Sequence, residues 1–359
     1  MKLPHYFEKF LSEIRPTASQ INDYEHGHKT LRERLEENES LKPIIISTIL
    51  QGSYIRRTAI RPMRDKRADV DIIVVTSLNK DQYTPDQAMN LFKSFLDEYY
   101  EGKYKKQGRS IAIELSYVDL DLVITSAPSE VDTEIYKSES LIGYEKSDEI
   151  MQAIGKLTGE AKWKIEPLLI PDRDTGTWDK THPLEQIRWT LDKNSRCNTH
   201  YINVVKAVKW WQRINFPEDR PSGYPLEHLI GDSCSDGIQS IDEGVVLTLE
   251  TIVRKYADYA RRNETPILSD HGVPEHNVFH RISGDEFVKF FSHIVNTARI
   301  ARAALDSGSE AETVSKWQSL FGDKFPSSKD NSDSDKDNPR GPFITPRSRT
   351  GDLTPRRYG

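Results

Sequence analysis

Three acidic residues on strand-like segments are the part of this sequence best suited to chemistry. Asp69 and Asp71 stand two apart at the head of DVDIIVV (69–75), and in an extended strand residues i and i+2 share a face. Their carboxylates therefore project together and repel unless a cation lies between them. The apolar run Ile72 to Val75 follows at once, so the pair sits at the mouth of a buried strand. That placement suits a divalent metal whose remaining ligands are substrate phosphates, the device of phosphoryl and nucleotidyl transfer. A third carboxylate is expected from SIAIELSYVDLDLVIT (110–125), read as one long strand. Asp121 is the choice, with Asp119 on the same face as the alternative.

Gln51-Gly52-Ser53 follows the β-branched run IIISTIL (44–50) and opens a short helix. Glycine lets a backbone approach a ligand closely, and N–H groups at the start of a helix face an anion, so the turn reads as a phosphate cradle. Taken singly, Gly-Ser is an ordinary turn and Asp-x-Asp an edge or salt-bridged pair. Their order carries the signal: a strand, Gly-Ser, 15 residues, Asp-x-Asp, a crossover helix and a third acidic strand.

The elements that must position these groups follow from periodicity. Residues 17–38 read as a polar helix capped near Thr17 or Ser19, and 85–100 as an amphipathic crossover helix. Residues 171–183 form an ordered connector. From Leu184 onward helical patterns dominate (184–193, 199–215, 224–230, 241–261, 285–306), which indicates a separate helical lobe. From about Pro326 the chain is rich in Ser, Asp and Pro without periodicity, the signature of a disordered tail. The expected class is α+β, a mixed sheet with flanking helices followed by a helical lobe. The divisions fall at 1–180, 181–325 and 326–359.

Composition narrows the ligand. A net charge of -6 and a pI near 6.0 argue against a grip on long nucleic acid and for small anions held in a local pocket. The two cysteines, Cys197 and Cys234, exclude a disulfide framework and fit a reducing compartment. No apolar run is long enough for a signal peptide or membrane span, so a cytoplasmic protein without a membrane partner is expected.

At these residues the chain resembles the polymerase-β-like nucleotidyltransferases, and within them the cGAS/DncV-like enzymes (CD-NTases) of bacterial CBASS anti-phage systems. GSYIRRTAIRP with DVDIIVV is similar to the family's Gly-Ser loop and Asp-x-Asp strand, and YVDLDLVITSAP to the strand of its third aspartate, Asp121. VKAVKWWQR (205–213) resembles the helix whose lysine, here Lys209, reaches the triphosphate. SGYPLEHLI (222–230) resembles a Ser-Tyr-x-Leu-Glu segment, except that Gly223 precedes Tyr224 and Ser222 lies one position earlier. IRWTLDKN, CNTHYINVVKAVKWW and LSDHGVPEHNV look most similar to clade D.

The resemblance implies a catalytic cleft between the sheet and the helical lobe. There ATP, alone or with GTP, would be condensed into a cyclic oligonucleotide, in clade D a trinucleotide, without a nucleic-acid template. It implies two Mg²⁺ ions, with Mn²⁺ as substitute, and a separate effector, typically a nuclease, that reads the product. It also admits regulatory or ubiquitin-ligase-like partners, which makes Gly359 of the final PRRYG a candidate conjugation site, against a merely disordered tail. The competing readings are transfer of a single nucleotide to a protein or small molecule, synthesis of a linear oligonucleotide, and a non-catalytic module.

Other residues are weighed against plainer roles. Lys209, flanked by Trp210, is read as a point charge for phosphate rather than a solvated lysine. Arg56, Arg57 and Arg61 either meet phosphates or pair with Asp65 or Asp69. Tyr224 either stacks on a base or packs in the core. His26 and His28 are expected in solvent. His271, His276 and His280, with no cysteine nearby, are not read as a metal site.

Overall fold

In a computed structural model, residues 1–63, 67–137 and 165–328 are described. Asp65, the stretch 138–160 and most of the expected tail, Gly359 included, lie outside them. The central sheet holds β1 (Ile45–Gln51), β2 (Asp69–Thr76), β3 (Tyr104–Lys106), β4 (Ile111–Glu114) and β5 (Asp119–Ile124), in the order β1-β2-β5-β4-β3. β2 and β5 run parallel at its centre, and each is an almost unbroken apolar run because both faces are covered.

The single long strand expected over 110–125 is two antiparallel strands, β4 and β5, closed by a turn in which Leu115 N–H donates to Val118 O at 3.0 Å. That turn contains Leu115, Ser116, Tyr117 and Val118, with none of the Gly, Pro or Asn that advertises a turn. The connector 171–183 likewise contains strand. β6 (Leu168–Asp172) and β7 (Thr177–Thr181) form a hairpin whose tip is shaped by Asp172 Oδ1 accepting from the N–H groups of Asp174 (3.0 Å) and Thr175 (3.2 Å).

Two helices precede the sheet. α1 (Pro4–Ile14) lies outside every element expected from sequence, and α2 (Ala18–Glu37) starts at a Thr17/Gln20 capping box. His28, expected in solvent, is fully buried on α2, and Arg32, one turn further along, reaches inward to Thr48 Oγ1 at 2.8 Å. A polar helix thus packs on the sheet through hydrogen bonds as well as apolar contacts. After α3 (Gly52–Ile55), the crossover is two helices, α4 (Pro85–Leu91) and α5 (Lys93–Tyr100), hinged at Phe92. α6 (Glu130–Lys137) follows β5.

The helical lobe contains α7 (Pro183–Arg196), α8 (Tyr201–Asn215), α9 (Gly223–Ser233), α10 (Ile241–Arg261), α11 (Gly284–Asp306) and α12 (Glu310–Phe321). The last of these was not anticipated. α1 packs here, not on the sheet: Phe7 lies 5.0 Å from Trp317 and Phe10 4.6 Å from Phe321, ring centre to ring centre. Conversely Leu184 and Ile187 of α7 belong to the sheet's core. The two cores are therefore threaded through each other's sequence, which fixes the cleft between them. Among the described residues, no helix is long and apolar enough to cross a membrane.

Candidate active site

The cleft between sheet and helices has a volume of about 930 Å³. Strand register brings its acids together. Asp71 of β2 sits beside Asp121 of β5, and Asp69 beside Asp119. One carboxylate oxygen from each of Asp69, Asp71 and Asp121 falls within 4.8 Å of the others, the one such cluster among the described residues. Asp119, the alternative third acid, is instead held by Arg67 Nε at 2.7 Å. Asp121 is oriented by the Ser110 hydroxyl, which donates to it at 3.1 Å.

Burial, and then mutual repulsion, drives these carboxyls above their usual range. Asp69 is pushed up to about 8, with Asp71, Asp121 and Asp119 adding to burial and Lys209 opposing. Asp71 is pushed up to about 6, chiefly by burial and Asp121, against the pull of Arg56. Asp121 is raised by burial and partly relieved by its Ser110 bond. Asp69 nevertheless opens on the cleft, so it is the member a cation meets first. Three clustered oxygen donors that resist being ionised together form a donor set suited to a hard divalent cation.

Gly52 lies directly over this cluster. Its φ is +77°, and a Cβ built there would stand 1.7 Å from Asp71 Oδ2. Glycine is required first by the aspartate it covers. The helix it opens is one turn of four residues. Gln51, paired with Asp71 across the β1–β2 ladder, lines the cleft together with Ser53.

The opposite wall is built on Glu227 of α9, a carboxylate only 4% exposed. Its Oε1 accepts from Lys209 Nζ at 2.6 Å, and its Oε2 from Arg56 Nη2 at 3.2 Å and Thr58 Oγ1 at 2.9 Å. Burial alone would raise its pKa, but Lys209 and Arg56 outweigh burial and hold it at about 2. Lys209 is itself lowered, because burial together with Arg56 and Arg213 exceeds what one carboxylate returns. Two cations around one anion leave this wall with net positive charge facing the acidic cluster.

Residues 1–129 match the SMODS family, described as the Second Messenger Oligonucleotide or Dinucleotide Synthetase domain. The cyclic AMP-AMP-GMP synthase of Enterobacter hormaechei subsp. hoffmannii is 45% identical over 353 residues, covering 91% of this chain and 92% of that protein. This chain belongs to the CD-NTase family. The cyclic AMP-AMP-AMP synthase of an Acinetobacter strain is 30% identical, covering 91% of this chain and 87% of its own. The solved structure of E. coli MS115-1 CdnC with ATP superposes with a TM-score of 0.63 at 16% identity, over 90% of this chain and 99% of that one, a likeness of fold.

Within this CD-NTase several expected contacts take other forms. Arg56 pairs with Glu227, and its guanidinium also lies 5.0 Å from the centre of the Tyr224 ring; Asp65 lies outside the described residues. Tyr224 lines the cleft half-buried, so one ring face is taken by Arg56. Lys209 lines the cleft but already holds Glu227 and the Thr58 carbonyl (3.1 Å). Arg61 leaves the site altogether and donates to the carbonyls of Ser12 (3.2 Å) and Arg15 (3.0 Å). Ser222 caps α9 without bonding it and lines the cleft, while Gly223 takes a φ of +59° as the first helical residue.

His276 pairs with Asp179 at 3.1 Å, and His271 stacks between Trp189 and His228 at ring separations of 3.4 and 3.8 Å. Glu227, Thr58, Arg67 and Ser110 carry no role in the sequence reading, and the 268–280 loop entered it only as a likeness to clade D and through its histidines. Glu227 alone had a signal, the Leu-Glu of its segment.

Proposed function

We propose that this CD-NTase condenses ATP and GTP, without a template, into a cyclic trinucleotide that serves as a signal in anti-phage defence, as a clade D member. The carboxylate triad of Asp69, Asp71 and Asp121 in the cleft carries this reading. The 45% and 30% identical relatives, both cyclic trinucleotide synthases, support the product class. Asp69 and Asp71 would hold two Mg²⁺ ions, replaceable by Mn²⁺, with Asp121 sharing one. Such ions lower the pKa of an acceptor hydroxyl and neutralise a donor triphosphate.

The chain's own residues do the positioning. Ser53 and the backbone of Gln51 and Gly52 border the triad and receive phosphate oxygens, with Ser222 on the facing wall. Lys209 and Arg56, held rigid by Glu227, present a net positive surface that a polyphosphate completes. Tyr224, braced by Arg56, borders the nucleotide through its open side. Growth of a ring requires donor and acceptor together, and a cleft of about 930 Å³ has room for two nucleotides. The product acts through a separate effector, a nuclease in this reading, and the enzyme that makes it is cytoplasmic.

The test is incubation with all four labelled nucleoside triphosphates and Mg²⁺ or Mn²⁺, then phosphatase treatment and mass spectrometry. A phosphatase-resistant trinucleotide, absent from Asp69→Asn/Asp71→Asn protein, is expected. A linear product, or transfer of one nucleotide to an added acceptor, overturns the cyclase reading.

A further inference from the structure

The triad and the Gly52-Ser53 turn fix where phosphate lies, and a nucleotide is longer than its phosphates. Its base needs a further wall of the same cleft, and residues of β7, α7 and the 268–280 loop are among those that line it. Asn277 lines that wall half-buried. Its Oδ1 accepts from Leu268 N–H and from Phe279 N–H, both at 3.0 Å. An amide oxygen has two lone pairs, so both are occupied and the amide cannot flip. Its Nδ2 has no partner among the described residues and is not sealed from solvent. Asn277 therefore offers the cleft N–H donors only.

Backbone capping alone does not demand an amide here. In the same loop Asp270 Oδ1 performs the same task, accepting from Gly272 N–H at 2.7 Å and Val273 N–H at 3.0 Å. At position 277 an aspartate would cap equally well, but it would present an acceptor instead of donors. The difference lies wholly in what faces the ligand. Asparagine ordinarily reads adenine by accepting from N6–H while donating to N7, and the occupied oxygen closes that mode. Guanine displays two acceptors on the same edge, O6 and N7, whereas adenine sets an N6–H donor beside its N7.

We propose that Asn277 is a specificity-determining residue that selects guanine at one nucleotide position of the cleft. The inference rests on the cleft's being a nucleotide site, as proposed above. Asn277→Asp is the deciding variant, because it keeps an oxygen for Leu268 and Phe279 and turns the donor into an acceptor. Two readouts are taken: the GMP:AMP ratio in product made from equimolar ATP and GTP, and the relative affinities of non-hydrolysable GTP and ATP analogues.

The expected result is a fall in both ratios of about tenfold, equivalent to about 1.4 kcal/mol, with KM for GTP rising more than KM for ATP. Weaker binding of 2-aminopurine riboside triphosphate, which lacks O6 but keeps N7, relative to GTP in the unaltered protein is expected as well, and it decides the matter if the variant fails to fold. Unchanged ratios in the variant, or equal binding of 2-aminopurine riboside triphosphate and GTP, overturn the inference. A wild-type protein that makes no cyclic product while the variant still loses GTP preference in binding would overturn the cyclase reading and leave this one standing.

Discussion

Replacing Glu227 by Gln tests whether the basic wall of the cleft is held by one buried carboxylate. The glutamine fills the same space and keeps one acceptor, but it leaves Lys209 and Arg56, both nearly inaccessible, without a counter-charge. Two routes give the cost. The carboxyl sits at about 2 against an ordinary 4.5, a difference worth about 3 kcal/mol at 1.36 kcal/mol per unit. Removing one partner of a buried ion pair independently costs about 3–5 kcal/mol. A loss of about 3 kcal/mol corresponds to a fall in Tm of about 4 °C, at about 2.1 cal/mol/K of unfolding entropy per residue.

The pH dependence adds a second constraint. A carboxylate whose folded pKa is depressed contributes its full stability above its unfolded pKa and loses it as pH falls through the folded one. The Tm gap between wild type and Glu227→Gln should therefore be constant above pH 5 and close between pH 4.5 and about 2. Calorimetry from pH 7.5 down to pH 3 measures it, and KM for nucleotide should rise in parallel as Lys209 and Arg56 lose their anchor. A variant within about 2 °C of wild type at pH 7.5, with a gap that ignores pH, would refute the reasoning.

Asp71→Asn should abolish nucleotide product yet stabilise the metal-free protein by about 1–3 kcal/mol, because it relieves burial of a charge beside Asp121. Added Mg²⁺ should raise the Tm of wild type and not of this variant. Metal binding must expel protons from carboxyls raised to about 8 and about 6, so the half-saturating Mg²⁺ concentration should climb as pH drops below 8, most steeply below 6; titration by calorimetry checks the direction. Gly52→Ala places a Cβ 1.7 Å from Asp71 Oδ2 at a φ of +77°. It should cost about 1–3 kcal/mol and more activity than that loss of stability explains, read as kcat at saturating metal beside a melting curve.

The two strands that carry the triad were legible because chemistry and periodicity agree there. Carboxylates on an i, i+2 face ahead of an apolar run point to a held cation once a strand and a Gly-Ser turn precede them in that order. The choice of Asp121 over Asp119 is another matter. Both share a face of β5, and their difference lies in neighbours from elsewhere: Arg67 neutralises Asp119, whereas Ser110 of the adjoining segment only orients Asp121. Sequence spacing fixed the pair, and register selected the member. The β4–β5 turn was missed for a local reason, since Leu-Ser-Tyr-Val has strand propensity throughout and the reversal is imposed by pairing of the flanking segments.

The positive wall was half visible. Lys209 and Arg56 were singled out as cations near phosphate, but a charge on a helix does not reveal its partner. Arg56 and Glu227 are 171 residues apart, and Thr58 and Glu227 169. No periodicity within α8 or α9 could pair them. Burial is what makes the pairing compulsory, because a guanidinium and an ammonium that are each more than nine-tenths covered need an anion at hand. That same compulsion shapes function. A single glutamate for two cations leaves an electrostatic deficit of one negative charge on the wall opposite three crowded aspartates. Under the proposed function, metal on one side and triphosphate on the other would satisfy both imbalances at once.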